Sequence, residues 1–186
     1  MVEPTERYAV VTGANKGIGF EIVRQLLLGS KWFLQKEMRK EVNNAGIGGV
    51  EIKDSDLYSQ VMITNGAVSN DELKRAMTET YELGKECIQI NYHGAKTTFE
   101  YLLPLLQLSD SPRVVNVSSL GGKIEKVSNE WAKGVLSDVD NLTEERIDEV
   151  LKEFLKDYEE GSLERKGWPR FLAAYIVAKA SMNAYT

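Results

Sequence analysis

Tyr175 and Lys179 stand four residues apart in Tyr175-Ile176-Val177-Ala178-Lys179, a spacing that puts a phenol and an ammonium on one face of a helix. A neighbouring cation favours the phenolate and brings a tyrosine towards useful proton transfer. The same spacing also arises as an ordinary surface pair. Asn116-Val117-Ser118-Ser119 sets hydroxyls at the carboxyl end of the apolar run Arg113–Val117. Ligands bind at that end of a strand in open α/β sheets, and the plain alternative is a pair of capping or turn serines. Thr12-Gly13-Ala14-Asn15-Lys16-Gly17-Ile18-Gly19 is a glycine turn after a β-branched run. Such a turn lets the backbone approach a pyrophosphate whose charge rests on the following helix N-terminus, or is simply a turn. Lys16 could meet a further phosphate. Asn43-Asn44-Ala45-Gly46, taken alone, is a turn signal. His93, the only histidine, has no partner at metal or triad spacing, and Cys87 on an apolar face reads as a packed thiol.

These groups need rigid elements behind them. Tyr8–Thr12 and Arg113–Val117 read as buried parallel strands. Ile18, Ile22, Leu26 and Phe20, Val23, Leu27 recur with helical spacing, so a helix starts near Gly17. Lys31–Glu41 is charged and reads as helix, with Gly29–Glu41 as a helical extension. Gly46–Ser69 is glycine-rich and reads as loop. Asp71–Gly84 and Cys87–Leu106 read as helices, the second with Pro104 near its end. Ile147, Val150, Leu151, Phe154, Leu155 and Tyr158 form the clearest helical stripe, capped by Asn141 with Glu144, with the acidic residues on the solvated face. Phe171 to the end is again helical in period. Alternating strands and helices with buried strands predict an α/β fold with a parallel sheet.

The chain's 186 residues suit a single domain with a real core. A formal charge of −5 and the lack of a basic run argue against a nucleic-acid partner. A single cysteine excludes a disulfide framework and fits a reducing compartment. The opening Met1–Glu6 reads as a short polar arm. With no leader pattern and no long apolar run, neither export nor membrane insertion is expected, and the cytoplasm is the default.

In this order, TG-x-x-x-GIG, NNAG, a strand ending in Ser-Ser and Y-x-x-x-K resemble the short-chain dehydrogenase/reductase family, within it the plant carbonyl reductases. "RYAVVTGANKGIGFEIVRQL", "VNNAGIGGV", "ETYELGKECIQINYHG" and "AYIVAKAS" carry the likeness over nearly the whole chain. It implies a Rossmann-like parallel sheet with flanking helices over residues 1–186, with 121–168 as an inserted helical segment. It implies an oxidoreductase that reduces a ketone or aldehyde of a small apolar metabolite, terpenoid or alkaloid-like, with NADPH. Gly13, Asn15, Lys16, Gly17, Ile18 and Gly19 would cradle the cofactor phosphates, and Asn44, Ala45 and Gly46 would line the adenosine-ribose side. The base Lys16 before the second glycine suggests the 2′-phosphate of NADPH. Tyr175 would protonate the carbonyl oxygen and also contact the cofactor, and Lys179 would lower its pKa and hold the nicotinamide ribose. Ser119 would hydrogen-bond the substrate, and Asn91 would hold a water in a proton relay to the lysine. The inserted segment covers the face other members use for pairing, so a monomer is implied.

Two departures qualify the likeness. Only 24 positions separate Gly19 from Asn43, whereas a single βαβ unit takes roughly 30 or more. The family's second and third strands are therefore absent, and with them the position that reads the ribose 2′ group. A direct step from the first strand to the fourth, with the helix kept in place, would be a left-handed crossover, found in roughly 2% of cases. Where an apolar fourth strand is expected, Arg39-Lys40-Glu41-Val42 stands instead. The later strands beyond Thr186 are also expected to be missing, which leaves exposed sheet edges. The alternative function is therefore an inactive fragment with residual nucleotide binding or an interaction role.

Overall fold

A computed structural model of the chain describes residues 6–28 and 36–186. Along the chain run β1 (Glu6–Val11), α1 (Gly17–Leu28), β2 (Lys36–Asn43), β3 (Glu51–Ile52), α2 (Ser55–Ile63) and α3 (Asn70–Ala76). Then come β4 (Met77–Thr78), α4 (Tyr81–Ile88), a π-helical turn at Gln89–His93, α5 (Gly94–Leu106) and β5 (Arg113–Asn116). Two 3-10 turns, Leu120–Gly122 and Ile124–Lys126, precede α6 (Glu130–Ser137), α7 (Glu144–Glu159) and α8 (Ala173–Tyr185). The chain packs as two compact units: residues up to Gly46 with His93–Ser118, and Ile47–Tyr92 with Ser119–Thr186.

The first unit holds a parallel three-stranded sheet in the order β1-β2-β5, with α5 against β2. The strand that directly follows α1 is thus the one ending in Asn43, as the shortened connection requires. β2 corrects the sequence reading of a helical extension, because Lys36–Asn43 is strand; residues 29–35 of that reading lie outside the described ones. Pairing with both neighbours overrides a local sequence rich in Lys and Glu. The fit is imperfect. Register shifts between Tyr8 and Ala9, whose partners are Met38 and Lys40, so Arg39 is an extra residue of the bulge type. Glu41 lies at 0% exposure in this central strand, where an apolar side chain belongs. Its Oε1 accepts from Asn43 Nδ2 at 2.8 Å, while Oε2 and Asn43 Oδ1 have no hydrogen-bond partner among the described residues. Burial pushes the Glu41 carboxyl above its ordinary range, opposed by the Asn43 bond.

The second unit is mostly helical, with a small antiparallel β3-β4 pair. Its core includes Val61, Cys87, Ile88, Tyr92, Val150, Phe154, Val177 and Met182. Four readings are corrected here. The expected loop contains α2, because Asp54 accepts from the Asp56 and Leu57 amides and caps it. The expected helix Asp71–Gly84 breaks at Met77–Thr80, where β4 pairs with β3 before Thr80 caps α4. Thr143, not Asn141, caps α7, its hydroxyl accepting from the Arg146 amide. The α7 stripe buries Ile147, Val150, Leu151 and Phe154 as the spacing demands, but also Asp157. That carboxylate is not on a solvated face: it accepts from Trp168 Nε1 at 2.8 Å and pairs with Lys166 Nζ at 3.1 Å. Burial opposes its charge, but the indole and ammonium outweigh it and hold the carboxyl below its ordinary range. Among the described residues, no helix is long and apolar enough to cross a membrane.

Candidate active site

Tyr175 and Lys179 both lie on α8, a helix buried almost all round. From Leu172 to Met182 every residue is buried except Tyr175, which is partly exposed. A helix apolar on all sides is a core helix, so its single opening at a phenol marks the face where chemistry is possible. Lys179, one turn further on, is only 4% exposed. Burial lowers its pKa, opposed by the nearby Cys87 thiol. A charge held out of water there is screened far less than one on a surface lysine.

Ser119 is brought to the same place by the turn that follows it. Its hydroxyl accepts from the Gly121 amide at 3.1 Å, which leaves the O–H proton to be donated outward. A β-carbon placed on Gly121 would lie 3.1 Å from the Tyr175 ring and 3.5 Å from Ser119 Oγ. One small residue therefore lies between both hydroxyl-bearing side chains, where a larger one would meet each. Gly122 packs on the helix itself: a β-carbon there would be 3.0 Å from the Lys179 backbone and Cβ, and its carbonyl accepts from Asn183 Nδ2 at 2.8 Å. The turn Leu120–Gly122 is thus set against the Tyr175–Lys179 stretch at backbone distance.

Asn91 belongs to the same unit, in the π-helical turn, and is 1% exposed. Its Oδ1 accepts from the Ile47 amide at 2.9 Å and its Nδ2 donates to the Ile47 carbonyl at 2.9 Å. Nδ2 also lies 3.1 Å from Cys87 Sγ. The side chain is therefore spent on holding the backbone after Gly46, and a π turn frees backbone groups from the regular ladder. Cys87 is fully buried, and burial pushes its thiol up to about 12, so it is no nucleophile. His93 ends the π-helical turn.

The glycine loop sits in the first unit. Thr12 Oγ1 accepts from the Asn44 and Ala45 amides, each at 3.0 Å, and the Asn44 amide side chain donates to the carbonyls of Thr12 and Gly13 at 3.3 and 3.2 Å. Thr12 was missed by the sequence reading, although a hydroxyl at the end of a strand and beside a glycine turn is a legible signal. Gly13 has a φ of 62° and a β-carbon there would be 2.8 Å from Ala45 Cα, so only glycine fits. Gly19 is equally closed, with Asn44 Nδ2 and Gly13 O each 2.5 Å from a β-carbon position. Gly17, by contrast, would meet nothing within 4 Å. The loop is thus braced on one side by Asn44 and Ala45 and open at Gly17, where α1 begins. Gly17, Ile18 and exposed Lys16 present amides and a cation at the positive end of a 12-residue helix. Such a cradle fits a phosphate, and Asn15 and Gly46 are exposed on the same loops.

Comparison with known proteins gives the following. The (+)-neomenthol dehydrogenase of Arabidopsis thaliana is 44% identical over an alignment covering all of this chain and 78% of that protein. The alignment runs over 236 residues, more than the chain's own 186, so the relative carries internal sequence that is absent here. Salutaridine reductase of Papaver bracteatum is 41% identical over 97% of the chain and 76% of that protein. Among solved structures, menthone neomenthol reductase from Mentha piperita superposes with a TM-score of 0.88 at 37% identity, covering 98% of this chain and 84% of that one. No family model matches the chain.

Proposed function

The chain belongs to the short-chain dehydrogenase/reductase family of oxidoreductases, and we propose that it reduces the carbonyl of a small apolar terpenoid- or alkaloid-like ketone or aldehyde with NADPH. The names of its relatives, neomenthol dehydrogenase and salutaridine reductase, support that substrate class. The observation that carries the reading is the site on α8: Tyr175 is the one unburied residue from Leu172 to Met182, and Gly121, whose amide binds Ser119 Oγ, leaves little room for a β-carbon against the Tyr175 ring.

Each residue then has a chemical role. A reduced nicotinamide, when bound, supplies the hydride that becomes the new C–H bond. Gly17, Ile18 and Lys16 hold the cofactor phosphates, with Gly13, Asn15 and Gly19 shaping the loop and Asn44, Ala45 and Gly46 bracing it on the ribose side. Ser119 donates its O–H proton in a hydrogen bond to the carbonyl oxygen and orients it. Tyr175 gives its phenolic proton to that oxygen as charge develops, leaving a phenolate and an alcohol. Lys179 stabilises the phenolate from within the buried face of α8. Asn91 fixes the Ile47 backbone and, through the π turn, a water serving the lysine. The two units are read as parts of one reductase domain with 121–168 as its insertion, and the protein as a cytosolic monomer.

A second reading, an inactive fragment, is favoured by one observation: the described sheet of the first unit has three strands and buries in its centre Glu41, whose Oε2 finds no partner among the described residues. Titration of the purified chain with NADPH separates the two. A saturable rise in melting temperature together with a change in cofactor fluorescence supports the reductase. No response in either overturns it and leaves the fragment.

A further inference from the structure

We propose that Glu79 is a positioning residue for the proton transfer, the remote cap of α8 that fixes where the Tyr175 hydroxyl points. The inference rests on the reductase reading above. α8 begins without a cap of its own, since its N-cap residue Leu172 offers no side-chain hydrogen bond. Helix starts leave backbone amides unpaired, and one that is buried needs a substitute acceptor. Glu79 supplies it from 93 residues earlier in the chain. The Leu172 amide donates to Oε1 at 2.8 Å and the Ala173 amide to Oε2 at 3.2 Å, so both carboxylate oxygens are committed to the start of this helix. The negative group also meets the positive end of the α8 dipole.

Leu172 itself carries the second sign. Its φ of 48° and ψ of 35° are left-handed, a conformation that a leucine holds only where its surroundings impose it. The residue is 5% exposed, and its amide is the one bound most closely by Glu79. The approach to the turn is tied separately: Arg170 donates to the Val68 carbonyl at 2.6 Å and to Asn70 Oδ1 at 2.9 Å. Arg170 thus anchors the incoming chain, and the carboxylate sets the direction in which α8 leaves it. Tyr175 is three residues after Leu172, in the first turn, so a change in that direction displaces the phenol directly. Glu79 is itself well held, between the paired Met77–Thr78 and α4 with its Thr80 cap. Burial pushes its carboxyl up while the two amides oppose the shift, the profile of a charge kept in place for what it binds.

The test uses the full chain with Glu79→Ala and the isosteric Glu79→Gln, reading amide hydrogen exchange and steady-state ketone reduction with NADPH. Glu79→Ala is expected to speed exchange at Leu172 and Ala173 while the α7 amides keep their protection. Its kcat per folded molecule is expected to fall about 10- to 100-fold with KM nearly unchanged. Glu79→Gln, which keeps an acceptor for one amide, restores part of both. Where Glu79→Ala does not fold, Glu79→Gln against wild type decides by the same two readings. Unchanged exchange at Leu172 and Ala173 overturns the cap. Faster exchange with an unchanged kcat overturns the positioning role. A wild-type chain that binds NADPH and reduces no ketone brings down the reductase reading, and with it the positioning role, while the exchange data still decide the cap.

Discussion

Tyr175 gains its significance from what surrounds it rather than from its type. Nine residues of α8 are buried, and from Leu172 to Met182 the phenol is the one side chain left partly open, with Lys179 held one turn on in a place where water screens a charge poorly. Tyr175→Phe keeps the ring against Gly121 and removes only the proton. It is expected to lower kcat by about 100-fold or more while changing the NADPH dissociation constant far less, as measured by cofactor fluorescence. At Gly122, a methyl group would meet the Lys179 backbone at 3.0 Å. Gly122→Ala should therefore cost about 1–3 kcal/mol of stability, read as a lowered midpoint in urea. The glycine loop, Ser119, Tyr175 and Lys179 could be singled out in the sequence because each motif is local, and the roles proposed for them start from that reading. Glu79 was not, because its partners stand 93 residues away and no spacing announces a remote cap.

At the scale of elements, two buried carboxylates pull stability in opposite directions with pH. In α7, Asp157 is held below its ordinary value of 3.8 by Trp168 and Lys166 against the cost of burial. Its contribution is complete above 3.8 and is lost as pH falls through the lower folded value. Asp157→Ala should destabilise by about 1–3 kcal/mol, since it leaves the buried Trp168 indole N–H without its acceptor. In β2, burial raises Glu41 above its ordinary value of 4.5. Its contribution is complete below 4.5 and is lost as pH rises through the higher folded value. Glu41→Met should therefore raise the melting temperature at neutral pH, worth about 1 kcal/mol, and remove that part of the pH dependence; a lowered melting temperature would contradict the account. The α7 stripe could be read from its apolar spacing, but Asp157 could not, because its partners lie beyond the helix. β2 was misread for the opposite reason. Its local residues favour no strand, and only pairing with β1 and β5 makes it one.

At the scale of the molecule, the chain combines a family likeness with a shortened sheet. The alignment to its Arabidopsis relative is longer than the chain itself, and the described sheet runs β1-β2-β5 with a register shift where the shortened connection enters it. The parallel α/β class was legible from Tyr8–Thr12, Arg113–Val117 and the helices between. The division into two units was not, since it depends on contacts far apart in sequence. Catalysis demands that this shortened scaffold still present Tyr175 to a carbonyl and a cofactor. The direct measurement is the loss of NADPH absorbance when the purified chain and its Tyr175→Phe variant are mixed with a panel of cyclic ketones. The account predicts ketone-dependent consumption by the wild-type chain and almost none by the variant. Equal rates in the two proteins, or no consumption by the wild type on any ketone, would contradict it.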